Sequence, residues 1–106
     1  MREYEALRRR ADFGRTTRRG RRSAGAFLSC FVLDGRRRTR VGLQVSGAVG
    51  GAVVRNRLRR RLKALLDGYP LGAAPWRDIV LIARPGAGEL TFAALTDELA
   101  RVFPQP

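Results

Sequence analysis

The chain of 106 residues contains no histidine and a single cysteine, Cys30. Without histidine there is no imidazole for general acid–base catalysis, and one cysteine can form neither an intrachain disulfide nor a zinc cluster. No apolar run approaches the roughly 18 residues of a membrane span. The charged N-terminus lacks the hydrophobic segment of a secretory signal. The sequence therefore predicts a cytoplasmic protein without a membrane partner.

Enzyme signatures are also missing. The chain has no phosphate-binding P-loop, no GxSxG nucleophile motif and no paired-carboxylate pattern. Asp78 is the only acid beside the most strand-like segment, and we expect it to begin that strand rather than act as a base. The sequence thus predicts no catalytic residue and no metal ligand in this chain.

Acidic residues and lysine are both scarce. The chain has nine acidic and 22 basic residues, and its net charge is +13. Among the basic residues only Lys63 is lysine. A genome-wide preference for arginine codons could produce the same composition. Guanidinium groups nevertheless bind phosphate through paired donors and stack on bases, which ammonium groups do not. Such a charge excess in a chain long enough for one domain indicates a nucleic-acid partner.

Residues 46–66, SGAVGGAVVRNRLRRRLKALL, predict an amphipathic helix around which the rest of the chain is organised. At about 100° per residue the apolar side chains share roughly a third of a turn. These are Val54, Leu58, Leu62, Leu65 and Leu66. Asn56 and most of the cations lie elsewhere on the helix, whereas Arg55 projects near the apolar arc. The cations are Arg55, Arg57, Arg59, Arg60, Arg61 and Lys63.

No acid interrupts this helix before Asp67. A solvated helix face normally mixes charges of both signs in i,i+4 pairs, and that interpretation holds for most charged helices. Here six like charges within nine residues repel one another. An external polyanion is the better explanation, so Asn56 and the six cations are predicted to bind a nucleic acid, which the family resemblance described below implies to be RNA.

The remaining pattern predicts α+β secondary structure in a three- or four-stranded α/β sandwich. Residues 1–9 are expected to be frayed, 10–19 to form a helix that ends at Gly20, and 21–25 to be a hinge and loop. Strands are predicted at 26–33 and 40–46, paired as an antiparallel hairpin. A central strand at 78–83 and a helix at 91–102 complete the single domain, with the helices largely on one face.

Phe27 and Phe31 are four residues apart in the first predicted strand, so alternation places them on one side with Ser29. Leu28, Cys30 and Val32 then point to the opposite side. Aromatic rings on an open sheet face can stack on unpaired bases. Packing in a hydrophobic core is the alternative, and the residues alone favour it.

The segment VGGAVVRNRLRRRLK, residues 49–63, resembles the signature of the bacterial ribonuclease P protein subunit. ADFGRTTRRG, RVGLQVS and DIVLIARPGAGELTF resemble the flanking segments of that family in order and spacing. Two lysines and an asparagine of the usual family pattern are replaced by Gly47, Ala48 and Gly51. The similarity spans roughly residues 7–103.

The resemblance implies a fold related to a ribosomal-protein fold, in the order α-β-β-(β)-α-β-α, with a left-handed βαβ crossover. It implies a partner, the catalytic RNA of ribonuclease P, which holds the active site and most of the Mg2+, and a substrate, precursor tRNA. No protein oligomer is required. Positions that match the family signature imply an RNA-facing role for the RNR segment and two further arginines. The resemblance also implies a cleft for the single-stranded 5′ leader, which contains Phe13 and Phe27, with Phe31 a weaker candidate. The residues with this RNA-facing role are Arg55, Asn56 and Arg57 of the RNR segment, together with Arg59 and Arg60.

Two other functions remain open from the basic surface alone. One is a ribosomal or general RNA-binding protein of similar fold with no part in cleavage, and the other is a DNA-compacting protein. The RNR segment with its matched flanks favours the ribonuclease P subunit over both.

Overall fold

The computed structural model describes residues 3–104, which form three α-helices, one 3-10 turn and five strands. The helices are α1 (Arg10–Arg19), α2 (Ala52–Leu66) and α3 (Phe92–Val102), and the 3-10 turn is Ala87–Glu89. The strands are β1 (Glu5–Ala6), β2 (Arg21–Ala24), β3 (Leu28–Asp34), β4 (Arg40–Gln44) and β5 (Arg77–Ala83). Within this part of the chain, no helix has the length and apolar character needed to cross a membrane.

The three helices confirm the predicted segments, except that α2 begins at Ala52 and residues 46–51 are not helical. Local chemistry explains the ends of α1 and α3. In α1, Asp12 lies in the first turn and Arg18 and Arg19 in the last, which complements the helix dipole. The Thr91 hydroxyl caps α3 by accepting a hydrogen bond from the Ala94 N–H at 3.1 Å. Gly20 follows α1 in an extended conformation, where a Cβ would lie 2.9 Å from the Val32 carbonyl oxygen. Glycine is therefore required there by close packing on β3 rather than by a left-handed turn.

The sheet has the order β1-β4-β5-β3-β2, so the predicted hairpin between the segments 26–33 and 40–46 is wrong. β5 lies between β3 and β4, antiparallel to β3 and parallel to β4. It is nearly continuously apolar, and Ile79, Val80 and Leu81 are at most 1% exposed. A strand of this kind is stabilised most where both edges are paired and both faces covered, which explains its central place. β4, α2 and β5 form the parallel βαβ unit, whose left-handed sense stays a prediction.

Both outer strands were missed by the sequence interpretation. Residues 21–24 were predicted as hinge and loop, but they pair with β3 as the fully exposed edge strand β2. Their sequence, RRSA, has little strand propensity, so pairing with β3 determines their conformation. The prediction of a frayed N-terminus is wrong for residues 3–9, because β1 pairs with β4 and the side chains of Tyr4 and Leu7 are buried. Residues 1 and 2 lie outside the described part.

The main hydrophobic core lies between one face of the sheet and the helices α2 and α3. Leu28, Cys30 and Val32 of β3 all belong to it, which confirms the predicted alternation for these residues. α1 packs on the opposite face, where the ring of Phe13 lies over Gly42 of β4 and a Cβ on that glycine would overlap it. Two of the three helices therefore lie on one face of the sheet, as predicted, and α1 covers part of the other face.

Candidate nucleic-acid interface

Helix α2 lies across the sheet with its apolar stripe inward. Leu58, Leu62 and Leu66 are at most 2% exposed, and Val54 and Leu65 are partly buried beside them. The predicted apolar arc is therefore confirmed. This burial orients the rest of the helix circumference outward, so that the basic side chains are presented on a rigid element.

The outermost stripe of α2 is polar and cationic. Asn56, Arg60 and Lys63 are exposed, and the helix contains no acidic residue. Arg60 and Lys63 form no ion pair within residues 3–104. A stripe of unneutralised cations on a rigid helix suits the phosphate backbone of a nucleic acid, which releases its counterions on binding.

Three further arginines of α2 reach sideways to the scaffold. Arg57 donates to the Gly88 carbonyl at 3.1 Å and Arg61 to the Leu90 carbonyl at 3.3 Å, both at the 3-10 turn. Arg59 donates to the Val45 carbonyl at 3.1 Å and to the Asn56 side-chain oxygen at 3.2 Å. A guanidinium has five N–H donors, so each keeps donors for a phosphate while it ties the helix to its neighbours.

Arg55 lies near the apolar arc, as its position on the helix predicted. Its side chain is half-buried, and its Nε atom is fully buried without a hydrogen-bond partner among residues 3–104. An unsatisfied buried donor destabilises a fold by about 1–3 kcal/mol. Substitution of Arg55 or Arg57 would therefore change packing as well as charge, whereas Arg60 and Lys63 can be changed with little effect on the fold.

The N-terminal end of α2 is open. Gly51 is the N-cap residue, no side chain caps the helix, and its first turn contains no acid. A Cβ at Gly47 or at Gly51 would have no heavy atom within 4 Å. The structure thus has room for the lysine and asparagine side chains that the family pattern usually places at these two positions.

The three phenylalanines predicted to bind the leader are all half-buried but do not form one continuous floor. Phe31 of β3 lies beside Val80 of β5, and Val80 lies beside Gly42 of β4, so Phe31 and Phe13 flank Val80 on the face under α1. Phe27 precedes β3 at the end of the sheet. Its ring packs against the main core and beside Gly86.

The backbone of Phe27 is held from two sides. Its N–H donates to the Glu98 carboxylate of α3 at 2.6 Å, and its carbonyl accepts from the Arg84 N–H at 2.9 Å. Glu98 is only 3% exposed and also accepts from the Leu28 N–H at 3.0 Å. This anchor between α3 and the β2–β3 turn is a feature that the sequence interpretation missed, because Glu98 resembles an ordinary surface residue of an amphipathic helix.

A second missed feature is an ionic cluster at the other end of the sheet. Arg40 donates from Nε and Nη2 to both carboxylate oxygens of Asp78, at 2.9 and 2.8 Å, and from Nη1 to Asp12 at 3.2 Å. Arg15 also pairs with Asp12 and Asp78, at 3.1 and 3.5 Å. The hydrogen bond with Asp78 raises the pKa of Arg40 above its ordinary value. Asp78 is the second residue of β5, close to the predicted strand start, and its buried carboxylate attaches α1 to the sheet through Arg15.

Residues 3–104 contain no group of three or more histidine, cysteine or carboxylate side chains that could hold a metal ion. The part of the chain that the structure describes therefore offers no such side-chain cluster for a resident metal ion. The expectation that Mg2+ is held mainly by an RNA partner stays a prediction.

The fold and this cationic surface together define a small basic α+β protein of the RNA-binding class. The ribonuclease P family model matches residues 1–105. The ribonuclease P protein component of Streptomyces avermitilis is 40% identical over 103 residues, covering 88% of this chain and 84% of that protein. That of Acidothermus cellulolyticus is 41% identical over 101 residues, covering 92% and 83%.

Solved structures agree with the sequence comparison. The ribonuclease P protein of Staphylococcus aureus superposes with a TM-score of 0.80 at 25% identity, covering 92% of this chain and 90% of that one. The Thermotoga maritima protein gives a TM-score of 0.77 at 25% identity, covering 91% and 92%. The chain belongs to the ribonuclease P protein family.

Proposed function

We propose that this chain is the protein subunit that binds the catalytic RNA of ribonuclease P and the 5′ leader of precursor tRNA, and so assists endonucleolytic removal of the leader. The observation that carries the proposal is the outward stripe of α2, where Arg60 and Lys63 stand exposed on an acid-free helix within the family's RNR segment. Phosphate contacts of this kind supply affinity and orientation but no sequence information.

In this proposal the chemical step belongs to the RNA. Mg2+ ions held by the RNA would supply the activation of water and the stabilisation of charge on the cleaved phosphate. The protein has no histidine, and the buried or partly buried acids Asp12, Asp78 and Glu98, three of its nine acids, are engaged in hydrogen bonds or ion pairs within the fold. The contribution of this chain is therefore binding and orientation.

Discrimination of precursor from mature tRNA requires contact with what only the precursor has, the single-stranded leader. A groove for a single strand needs positive walls and an apolar or aromatic floor. Phe13 and Phe31 under α1 and Phe27 at the end of β3 each keep part of the ring accessible. In the proposal these rings contact the leader, and cations of α2 contact phosphates.

Reconstitution tests the proposal directly. The purified protein is mixed with the catalytic RNA of the same organism and a precursor tRNA at low Mg2+, and release of the 5′ leader is followed. We expect the protein to accelerate cleavage, the RNA alone to cleave at high Mg2+, and the protein alone to cleave nothing. Cleavage by RNA-free protein would refute the assignment of chemistry to the RNA, and RNA binding without any effect on cleavage would favour a general RNA-binding protein.

A double variant tests the interface. Arg60→Gln with Lys63→Gln removes two exposed charges and no hydrogen bond of the fold. If each makes one phosphate contact, the slope of log K against log salt should fall by about 1.5 units for binding to the catalytic RNA. The control, Arg22→Gln with Arg101→Gln, removes the same charge from β2 and α3 and should change the slope much less.

A further inference from the structure

A cavity of about 840 Å³ lies at the end of the sheet away from the 3-10 turn. It is lined by residues of β1, α1, the end of β3, the turn that follows β3, and the start of β4 and β5. Seven arginines line it against four acids. We call this cavity the arginine basin.

The floor of the arginine basin is electrically neutral and fixed. Asp12 and Asp78 are 14% and 4% exposed at the side chain, and both pair with Arg15 and Arg40 at 2.8–3.5 Å. Because each carboxylate is satisfied by guanidinium groups, the floor neither attracts a metal ion nor carries excess charge. Any anion attracted to the basin is therefore held by its rim.

The rim carries the excess positive charge. Arg9, Arg19, Arg36 and Arg37 are exposed there and form no ion pair within residues 3–104. Glu5 and Asp34 also line the basin, so cations outnumber acids at the rim. Four unpaired guanidinium groups converging on one concavity repel one another, and a ligand that presents several phosphates relieves that repulsion.

The arginine basin and the basic stripe of α2 belong to different faces of the sheet. α1, which lines the basin, packs on the face where the ring of Phe13 lies over Gly42. α2 packs on the other face, where Leu58 and Leu62 belong to the main core. The C-terminal part of the stripe comes nearest to the basin, because Lys63 lines a small cavity together with Arg8, the neighbour of Arg9 in the chain.

We propose that the arginine basin is a second binding site for the phosphate backbone of RNA, and that it holds a different RNA segment from the one bound by α2. The proposal rests on the proposed function in that the ligand is RNA. The helices α1 and α2 lie on opposite faces of the sheet, so one short straight segment cannot occupy both surfaces. The protein then bridges two segments of its RNA partner.

The first test measures the salt dependence of binding to the catalytic RNA. Arg36→Gln with Arg37→Gln removes two rim charges, and the slope of log K against log salt should fall by about 1.5 units. Arg22→Gln with Arg101→Gln is again the control of equal charge. We call Arg36→Gln with Arg37→Gln the basin pair. Combining the basin pair with Arg60→Gln and Lys63→Gln should lower the slope further than either pair does alone. If the basin pair changes the slope no more than the control does, the basin is not an RNA site.

The second test locates the RNA. The one natural cysteine, Cys30, is buried, so an introduced cysteine is the only accessible thiol. Arg36→Cys and Lys63→Cys variants each carry a tethered iron chelate that cleaves nearby RNA. We expect cuts at two different segments of the catalytic RNA. Cuts at the same nucleotides, or none from position 36, would overturn the proposal.

The two tests also separate this proposal from the proposed function. If Arg60→Gln with Lys63→Gln lowers the slope and the basin pair does not, only the basin proposal fails. If neither pair lowers the slope, the RNA-facing role of α2 fails as well. Tripolyphosphate binding is measured directly as well: if the wild type binds it, the basin pair does not, and both bind RNA equally, the basin takes free oligophosphate rather than RNA.

Discussion

Glu98 and Gly25 make a sharp prediction about the β2–β3 turn. Glu98 reaches from α3 to accept the N–H groups of Phe27 and Leu28. A Cβ at Gly25 would lie 2.5 Å from the same carboxylate oxygen. The carboxylate of Glu98 therefore occupies space that is free only because residue 25 has no side chain. A substitution at either position should change the stability effect of a substitution at the other.

The magnitude follows from these contacts. Glu98→Ala leaves the buried Leu28 N–H without a partner, which costs about 1–3 kcal/mol, and also removes a charge-assisted bond to Phe27. We expect a total loss near 3 kcal/mol, a large part of a typical stability of about 5–15 kcal/mol. The melting temperature should fall by about 15 °C. Glu98→Gln keeps one acceptor oxygen and should lose about 1 kcal/mol.

Gly25→Ala should cost about 1–3 kcal/mol in the wild type, because the new methyl group displaces a carboxylate held by two hydrogen bonds. In the Glu98→Ala background the carboxylate is gone and the same substitution should be nearly neutral. Urea unfolding of the four proteins gives the coupling energy, expected at about 1–2 kcal/mol. Additive losses, with a coupling below about 0.5 kcal/mol, would refute the proposed complementarity.

The remaining predictions concern the phenylalanines, the cysteine and the cap of α2. Phe13→Ala or Phe27→Ala should weaken binding of precursor tRNA by about 1–3 kcal/mol per lost stack and leave mature tRNA binding nearly unchanged; equal losses for both tRNAs with a lower melting temperature would show that the rings serve only the core. Burial raises the pKa of Cys30 to about 12 from 9.0. As pH rises, the thiol ionises in the unfolded protein before it ionises in the folded protein. The free energy of unfolding should therefore fall by up to about 1.4 kcal/mol per pH unit between pH 9 and 12. Cys30→Ala should remove this contribution to the pH dependence, as measured by urea unfolding. Gly51→Asn should stabilise the fold by about 0.5 kcal/mol, because φ is −71° there and the added side chain has open space and uncapped N–H groups within reach; an unchanged or lower melting temperature would contradict this.

Much of the candidate interface could be predicted from the sequence, because it lies on one helix. Leu58 and Leu62 mark the inward side of α2, and the period of 3.6 residues then places Arg60 and Lys63 outward. Propensity and periodicity could not show that Arg57, Arg59 and Arg61 also bond to backbone carbonyls of other elements. Those contacts depend on where the 3-10 turn and the end of β4 lie in space.

The sequence by itself determined the three helices, the buried central strand and the basic stripe of α2. These depend on side chains close together in the chain, whose relative directions follow from local backbone geometry. Only the tertiary structure decided that β5 separates β3 from β4 and that residues 21–24 form an edge strand. It also decided that Asp12, Arg15, Arg40 and Asp78 meet under the arginine basin. Strand neighbours are chosen by competition among distant segments for backbone hydrogen bonds and burial, and that competition cannot be read from any one segment.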